Sequence, residues 1–193
     1  TNSQEFAKKL AKNADIYVND TFSSSHREHA SICAITDYLP SYAGRSLEME
    51  INILEKITNS INHPLMALVG GSKISTKITL LENIVKKVDF LVVGGGIANT
   101  FLGAKGFNIG KSLCEKKFFG EAMRVLDLAK KENCEVILPT DVVVAEKLEL
   151  NIETYNVAID NISEDKSIYD LGEDTIENIS NHIANCKTVL WNG

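Results

Sequence analysis

A chain of 193 residues, 44% hydrophobic and 24% charged, has ample apolar material for a core and carries no low-complexity tract. Its net charge of −6 and pI near 5.3 argue against a nucleic-acid partner, which wants a basic face, and no apolar run approaches the roughly 18 residues of a membrane span, so no membrane partner is expected. Cys33, Cys114, Cys134 and Cys186 form no Cys-x-x-Cys pair and stand with no histidine at ligand spacing, so they read as reduced thiols of a cytoplasmic protein, with no metal site and no disulfide frame.

In chain order, Glu5 to Lys12, with Phe6, Leu10 and interleaved alanines, reads as the end of a helix. Asp15–Val18 follows as a strand that Asn19-Asp20 closes. The stretch Thr21–His29 is a hydroxyl-rich loop carrying His26, Arg27 and His29. Serine-rich loops are commonly just turns, and an arginine there is commonly surface. An arginine fork flanked by imidazoles also suits a carboxylate or a phosphate ester. Ser46–Asn59 reads as a helix with the stripe Leu47, Ile51, Leu54, Ile57, with Ser46 as its N-cap and Gly44 as a pivot before it. His63-Pro64 ends the connection, because a residue before proline is pushed out of the helical region.

From Leu65 onward strands and helices alternate: strand 65–69, helix 74–87, strand 90–93, helix 97–104, helix 118–132, strand 136–138, strands 142–145 and 154–159, helix 175–184 and strand 188–191. Apolar strands bounded by helices imply an α/β fold, a Rossmann-like three-layer αβα sandwich on a parallel sheet covered on both faces. Ligands of such sheets sit at the carboxyl ends of the strands. Both glycine turns, Pro139-Thr140-Asp141 and Asn192-Gly193 all fall at such ends.

The first glycine turn, Val69-Gly70-Gly71-Ser72-Lys73, passes from a buried strand into a helical repeat of Ile74, Ile78, Leu81, Val85 and Val88. Glycines admit a ligand close to the backbone, and the N–H groups of a helix start favour an anion. Lys73 and Lys77, four residues apart, are expected on one helical face, a pairing that asks for something negative between them. A tight turn with solvated lysines is the plainer alternative. A Walker A loop is absent, and the second turn, Gly94-Gly95-Gly96-Ile97-Ala98-Asn99, has asparagine where the dinucleotide fingerprint needs glycine. A dehydrogenase reading is thereby weakened.

Taken together, Tyr17–Phe22, Ser25–Ser31, Val69–Ile78, Gly94–Phe101, Leu138–Asp141 and Trp191-Asn192-Gly193 resemble the phosphoglycerate kinase family, in the family's order and spacing. The resemblance implies a two-lobed, hinge-bending kinase that acts as a monomer in glycolysis, moving a phosphoryl group between ATP and 3-phosphoglycerate to give ADP and 1,3-bisphosphoglycerate, with Mg2+ accompanying the nucleotide. Residues 1–44 would belong to the phosphoglycerate lobe, 45–62 to the hinge helix and 63–193 to an incomplete nucleotide lobe. By the same resemblance Arg27, with His26 and His29, would bind phosphoglycerate. Lys73 would stabilise the phosphoryl group in flight and Lys77 would hold nucleotide phosphate. Gly71, Ser72, Gly95 and Gly96 would line the nucleotide, Leu113 and Leu148 would form the adenine slot, and Asn192 would stand near the phosphates. The chain departs from the family pattern at Thr21, at Ser23-Ser24-Ser25 and at Ile168-Tyr169-Asp170. Its start at Thr1 and its stop after Trp191-Asn192-Gly193 read as those of an internal piece, expected to be inactive alone. A nucleotide-binding module without turnover is the alternative from another class.

Overall fold

The computed structural model of the protein describes residues 1–59 and 62–193. They divide into two compact units, Thr1–Ile61 and Asn62–Gly193. The side chain of the stripe position Ile57, and residues 60 and 61 of the expected hinge helix, lie outside the described residues. Among the described residues no helix is long and apolar enough to cross a membrane.

In the first unit, helix α1 (Gln4–Ala11) starts where the Ser3 hydroxyl accepts the Phe6 N–H. It buries Ala7 against Ala30 and Ala34. Strand β1 (Tyr17–Asn19) pairs in parallel with β2 (Ser41–Ala43), a strand too short for its periodicity to show in the sequence. Helix α2 (Arg45–Asn59) begins one residue before the expected cap. Ser46 is therefore inside the first turn, and the orphan N–H groups of Ser46 and Leu47 donate to Asp20 Oδ1 at 2.7 and 3.1 Å. Gly44 is where Asp20 leans in: a Cβ there would collide with its carboxylate. The two N–H donors, Leu47 foremost, hold the Asp20 carboxyl below its usual range. Of the expected stripe, Leu47 is buried, whereas Ile51 and Leu54 are exposed in this chain.

In the second unit β3 (Leu65–Val69) runs into a 3-10 turn (Ile74–Thr76) and the short helix α3 (Ile78–Ile84), then β4 (Phe90–Val93) leads to α4 (Gly95–Ala104). Helix α5 (Phe119–Lys131) precedes β5 (Glu135–Ile137). Strands β6 (Asp141–Ala145), β7 (Tyr155–Ala158) and β8 (Ser167–Leu171) come next, and α6 (Glu173–Asn185) precedes β9 (Thr188–Asn192). The main sheet has the order β5-β4-β3-β9, every pair parallel. Met66, Val92 and Ile137 on one face pack on Ile179 of α6. The alternate residues Leu65, Ala67, Val69, Leu91 and Val93 point to the other face and are equally covered. Helices α3, α4 and α5, packed on one another, bring buried Leu81, Val85, Phe101, Leu102 and Val125. This is the α/β arrangement with a parallel sheet that the alternation implies.

Two expectations need correction. The helix expected over 74–87 is broken: Lys77, at φ −127° and ψ 1°, separates the 3-10 turn from α3. The Lys73 carbonyl, first acceptor of a helix begun at Ile74, takes the Thr76 hydroxyl at 2.9 Å, and Lys77 N bonds three residues back to the Ile74 carbonyl at 2.8 Å. Strands β6 and β7 also leave the parallel sheet and form an antiparallel one of order β7-β6-β8. A parallel crossover needs a helix-length connection, and the loop between β6 and β7 supplies none. Strand β8 escapes the sequence reading because its five residues are bounded by no glycine or proline at their start.

Candidate nucleotide and oxyanion sites

The sequence places two glycine turns after β3 and β4, and parallel pairing of those strands sets the turns side by side. They lie backbone against backbone. Gly95 has φ +63°, and a Cβ on it would stand 2.9 Å from the Gly71 carbonyl oxygen. At Gly96 a Cβ would collide with the Ser72 carbonyl outright. Only glycine allows this approach. At the start of α4, Gly95 is exposed, and the Ile97 N–H, which has no intrahelical partner, donates to the Gly71 carbonyl at 3.1 Å.

A cavity of about 610 Å³ opens over these turns, within the range of small-molecule sites. Gly71, Ser72, Gly95 and Gly96 are among its lining residues, as are Leu113 and Ile168, Tyr169 and Asp170 of β8. Asn99, the residue that breaks the dinucleotide pattern, is buried and donates from Nδ2 to the Leu113 carbonyl at 3.2 Å. It holds the wall of the cavity where a glycine could not. Lys77 Nζ donates to Asn192 Oδ1, and the carbonyl of Asn192 accepts from Gly70 N at 2.8 Å. The end of β9 is thus stapled to the first glycine turn. Lys73 stands apart, exposed, on extended backbone with φ −132° and ψ 120°. The two lysines therefore do not share a helical face.

The other cluster belongs to the first unit. Asn19 Nδ2 donates to Ser25 Oγ at 3.1 Å, Ser25 Oγ donates to the Thr21 carbonyl at 2.7 Å, and Asn19 Oδ1 accepts from Thr21 N at 3.0 Å. These bonds tie the loop across its neck. His26, Arg27 and His29 project from it and are all exposed. Asp20, the obvious partner for Arg27, is spent on the start of α2. Among the described residues no ion pair involves Arg27.

A model of the family described as phosphoglycerate kinase matches residues 1–193. The chain belongs to that family. Among curated phosphoglycerate kinases it is 49% identical over 192 residues to that of Methylorubrum extorquens (strain PA1) and 45% identical to that of Xanthobacter flavus. In both cases the alignment covers 100% of this chain and 48% of the relative, so the chain spans about half the length of the curated relatives it matches. The solved phosphoglycerate kinase from Coxiella burnetii superposes with a TM-score of 0.85 at 42% identity, covering 100% of this chain and 50% of that one. That of Pyrococcus horikoshii OT3 gives 0.83 at 24% identity and 99% coverage of this chain against 50% of its own, and shows the fold alone.

Of the residues that the phosphoglycerate kinase resemblance singles out, the structure gathers Gly71, Ser72, Gly95, Gly96 and Leu113 around one cavity and joins Lys77 to Asn192. It does not bring Leu148 there. That side chain, 80% exposed, lies in the loop between β6 and β7 and does not line the cavity. The residues of β8 line it instead, and the sequence reading of Ile168-Tyr169-Asp170 as a departure hid them. Lys111 also lines the cavity. Its letter alone, in a polar loop, gave no signal.

Proposed function

We propose that the protein catalyses reversible phosphoryl transfer between ATP and 3-phosphoglycerate, giving ADP and 1,3-bisphosphoglycerate, as a cytoplasmic monomer of glycolysis. The lobes proposed are 1–44 for phosphoglycerate, 45–62 for the hinge and 63–193 for the nucleotide. The observation that carries this is the cavity over two interlocked glycine turns, with Lys77 and Asn192 bonded beside it. The whole activity would belong to a polypeptide of the relatives' length.

Transfer of a phosphoryl group asks a protein for positioning and charge neutralisation more than for covalent chemistry. Lys77, held by Asn192, would carry nucleotide phosphate in the ground state. Lys73, a compact charge on an exposed stem, would follow the group as negative charge spreads over its oxygens. Arg27's fork, with His26 and His29 beside it, would fix the acceptor. The acceptor carboxylate is ionised at neutral pH, so no general base is required. Mg2+ would supply charge neutralisation on the nucleotide phosphates. Among the described residues no three His, Cys, Asp or Glu side chains converge to hold a metal.

Titration calorimetry with MgADP and with NAD, beside a coupled assay for ADP formation, tests the reading. Heat with MgADP, none with NAD and turnover with 3-phosphoglycerate in the full-length polypeptide is the expected result. Binding of MgADP without turnover there would establish the nucleotide-binding module instead.

A further inference from the structure

The repeat of Ile74, Ile78, Leu81, Val85 and Val88 is that of one continuous helix, and the chain nevertheless breaks it. In a helix begun at Ile74 the Ser75 N–H lies in the first turn, where no intrahelical carbonyl reaches it. The Ser75 N–H goes to a carboxylate from a distant loop: Glu115 Oε2 accepts it at 2.8 Å, and Glu115 Oε1 accepts the Ser75 hydroxyl at 2.7 Å. Both oxygens of one carboxylate are thus committed to one residue, two positions after Lys73.

Glu115 is anchored in its turn. Its N–H donates to Thr100 Oγ1 at 3.1 Å, and Thr100, fully buried on α4, donates to the Gly96 carbonyl at 2.8 Å. A chain of bonds therefore runs from the second glycine turn through Thr100 and Glu115 to the Lys73 segment. The Ser75 N–H foremost, its hydroxyl next, and then the Lys73 charge hold the Glu115 carboxyl below its usual range, so at neutral pH it is a carboxylate.

We propose that Glu115 is a positioning residue for phosphoryl transfer: by taking both Ser75 donors it keeps Lys73 on extended backbone outside the helix. The proposal rests on Lys73 being the residue that follows the transferring group. A carboxylate that merely tied down its own loop would stabilise the fold without acting through Lys73.

The two roles separate in a double-mutant cycle on the full-length polypeptide. Glu115→Gln keeps the volume and one acceptor oxygen while losing the charge and the second acceptor. It is expected to lower kcat about 10-fold with KM for ATP within about 2-fold. In a Lys73→Ala background the same change should move kcat by less than about 2-fold, because the group it acts through is gone. An equal loss in both backgrounds, or no loss from Glu115→Gln alone, overturns this proposal and leaves the role of Lys73 standing. A harmless Lys73→Ala overturns both. The geometry has its own readout in the 193-residue chain: amide exchange at Ser75 should accelerate at least about 10-fold in Glu115→Ala and stay put in Lys73→Ala. A Ser75 amide as protected in Glu115→Ala as in the parent also overturns the proposal.

Discussion

Lys73 and Lys77 carry the same charge on backbones of different kinds, and the proposed division of work follows that difference. Lys77 is half-buried and bonded to Asn192, so it is fixed before any ligand arrives. Lys73 is exposed and extended. Lys73→Ala in the full-length enzyme is expected to lower kcat by about 100-fold to 1,000-fold with little effect on nucleotide binding, the mark of a contact made in the transition state. Lys77→Ala should raise KM for ATP as well. Equal KM effects in steady-state kinetics would sink the division. Arg27 makes a third case. Its charge-assisted bonds to an oxyanion should contribute roughly 1.5–3 kcal/mol, so Arg27→Ala should raise KM for 3-phosphoglycerate about 10-fold to 100-fold and leave that for ATP alone. Arg27→Lys should recover part of this, since a point charge cannot reproduce the fork. A lowered melting temperature with unchanged KM would mark a structural arginine instead. The letters named these cations because glycine turns and a His-Arg loop are local patterns. They could not show that Lys77 meets a residue far along the chain, or that Leu148 points to solvent, because both depend on which strands pair.

At the scale of elements, the start of α6 is bonded to β6 through one buried carboxylate. Asp141, buried in β6, accepts from Thr175 N at 2.8 Å, Thr175 Oγ1 at 2.6 Å, Asp174 N at 3.1 Å and Asn156 Nδ2 at 2.8 Å. A residue from a strand thereby caps a helix that covers the main sheet. Burial pushes the Asp141 carboxyl up, but the Thr175 and Asn156 donors outweigh it and leave the group below its usual range. The sign follows: a carboxyl lowered in the fold contributes stability above its unfolded value of about 3.9, and that stability is lost as pH falls toward the folded value. Asp141→Ala is expected to cost about 2–3 kcal/mol at pH 7, from charge-assisted bonds lost and donors stranded. The gap between variant and parent should narrow in urea melts below about pH 4. A constant gap across pH would mean that volume, not charge, carries the effect. The sequence showed α6 and its place before β9 through the spacing of Thr175 and Ile179. It did not show the antiparallel sheet that delivers Asp141, because strand direction is decided by a loop whose length is visible and whose path is not.

On the scale of the whole molecule, the residues that line the cavity and the Lys77–Asn192 bond all lie within Asn62–Gly193. That unit has a parallel sheet covered on both faces and a core that runs from Met66 to Ile179. The first unit is different in kind. Among its described residues Ala7, Ala30 and Ala34 form a buried cluster and Ile35 and Leu47 are also buried, whereas Phe6, Ile16, Val18 and Tyr42 are about half exposed in this chain. Residues 62–193 expressed alone should therefore fold and bind MgADP with a Kd within about 2-fold of the 193-residue chain, whereas residues 1–61, with so many large apolar side chains half exposed, should not hold a structure. At 100-fold excess over Kd, MgADP should add about 2.7 kcal/mol to the isolated unit and raise its melting temperature by roughly 10 °C, with no shift from NAD. Calorimetric titration of the two polypeptides decides the matter. A loss of more than about 10-fold in MgADP affinity on removing residues 1–61 would show that the nucleotide site is not contained in the second unit, and the assignment of Lys77 and Asn192 as ground-state phosphate ligands would have to be redrawn around groups from the first.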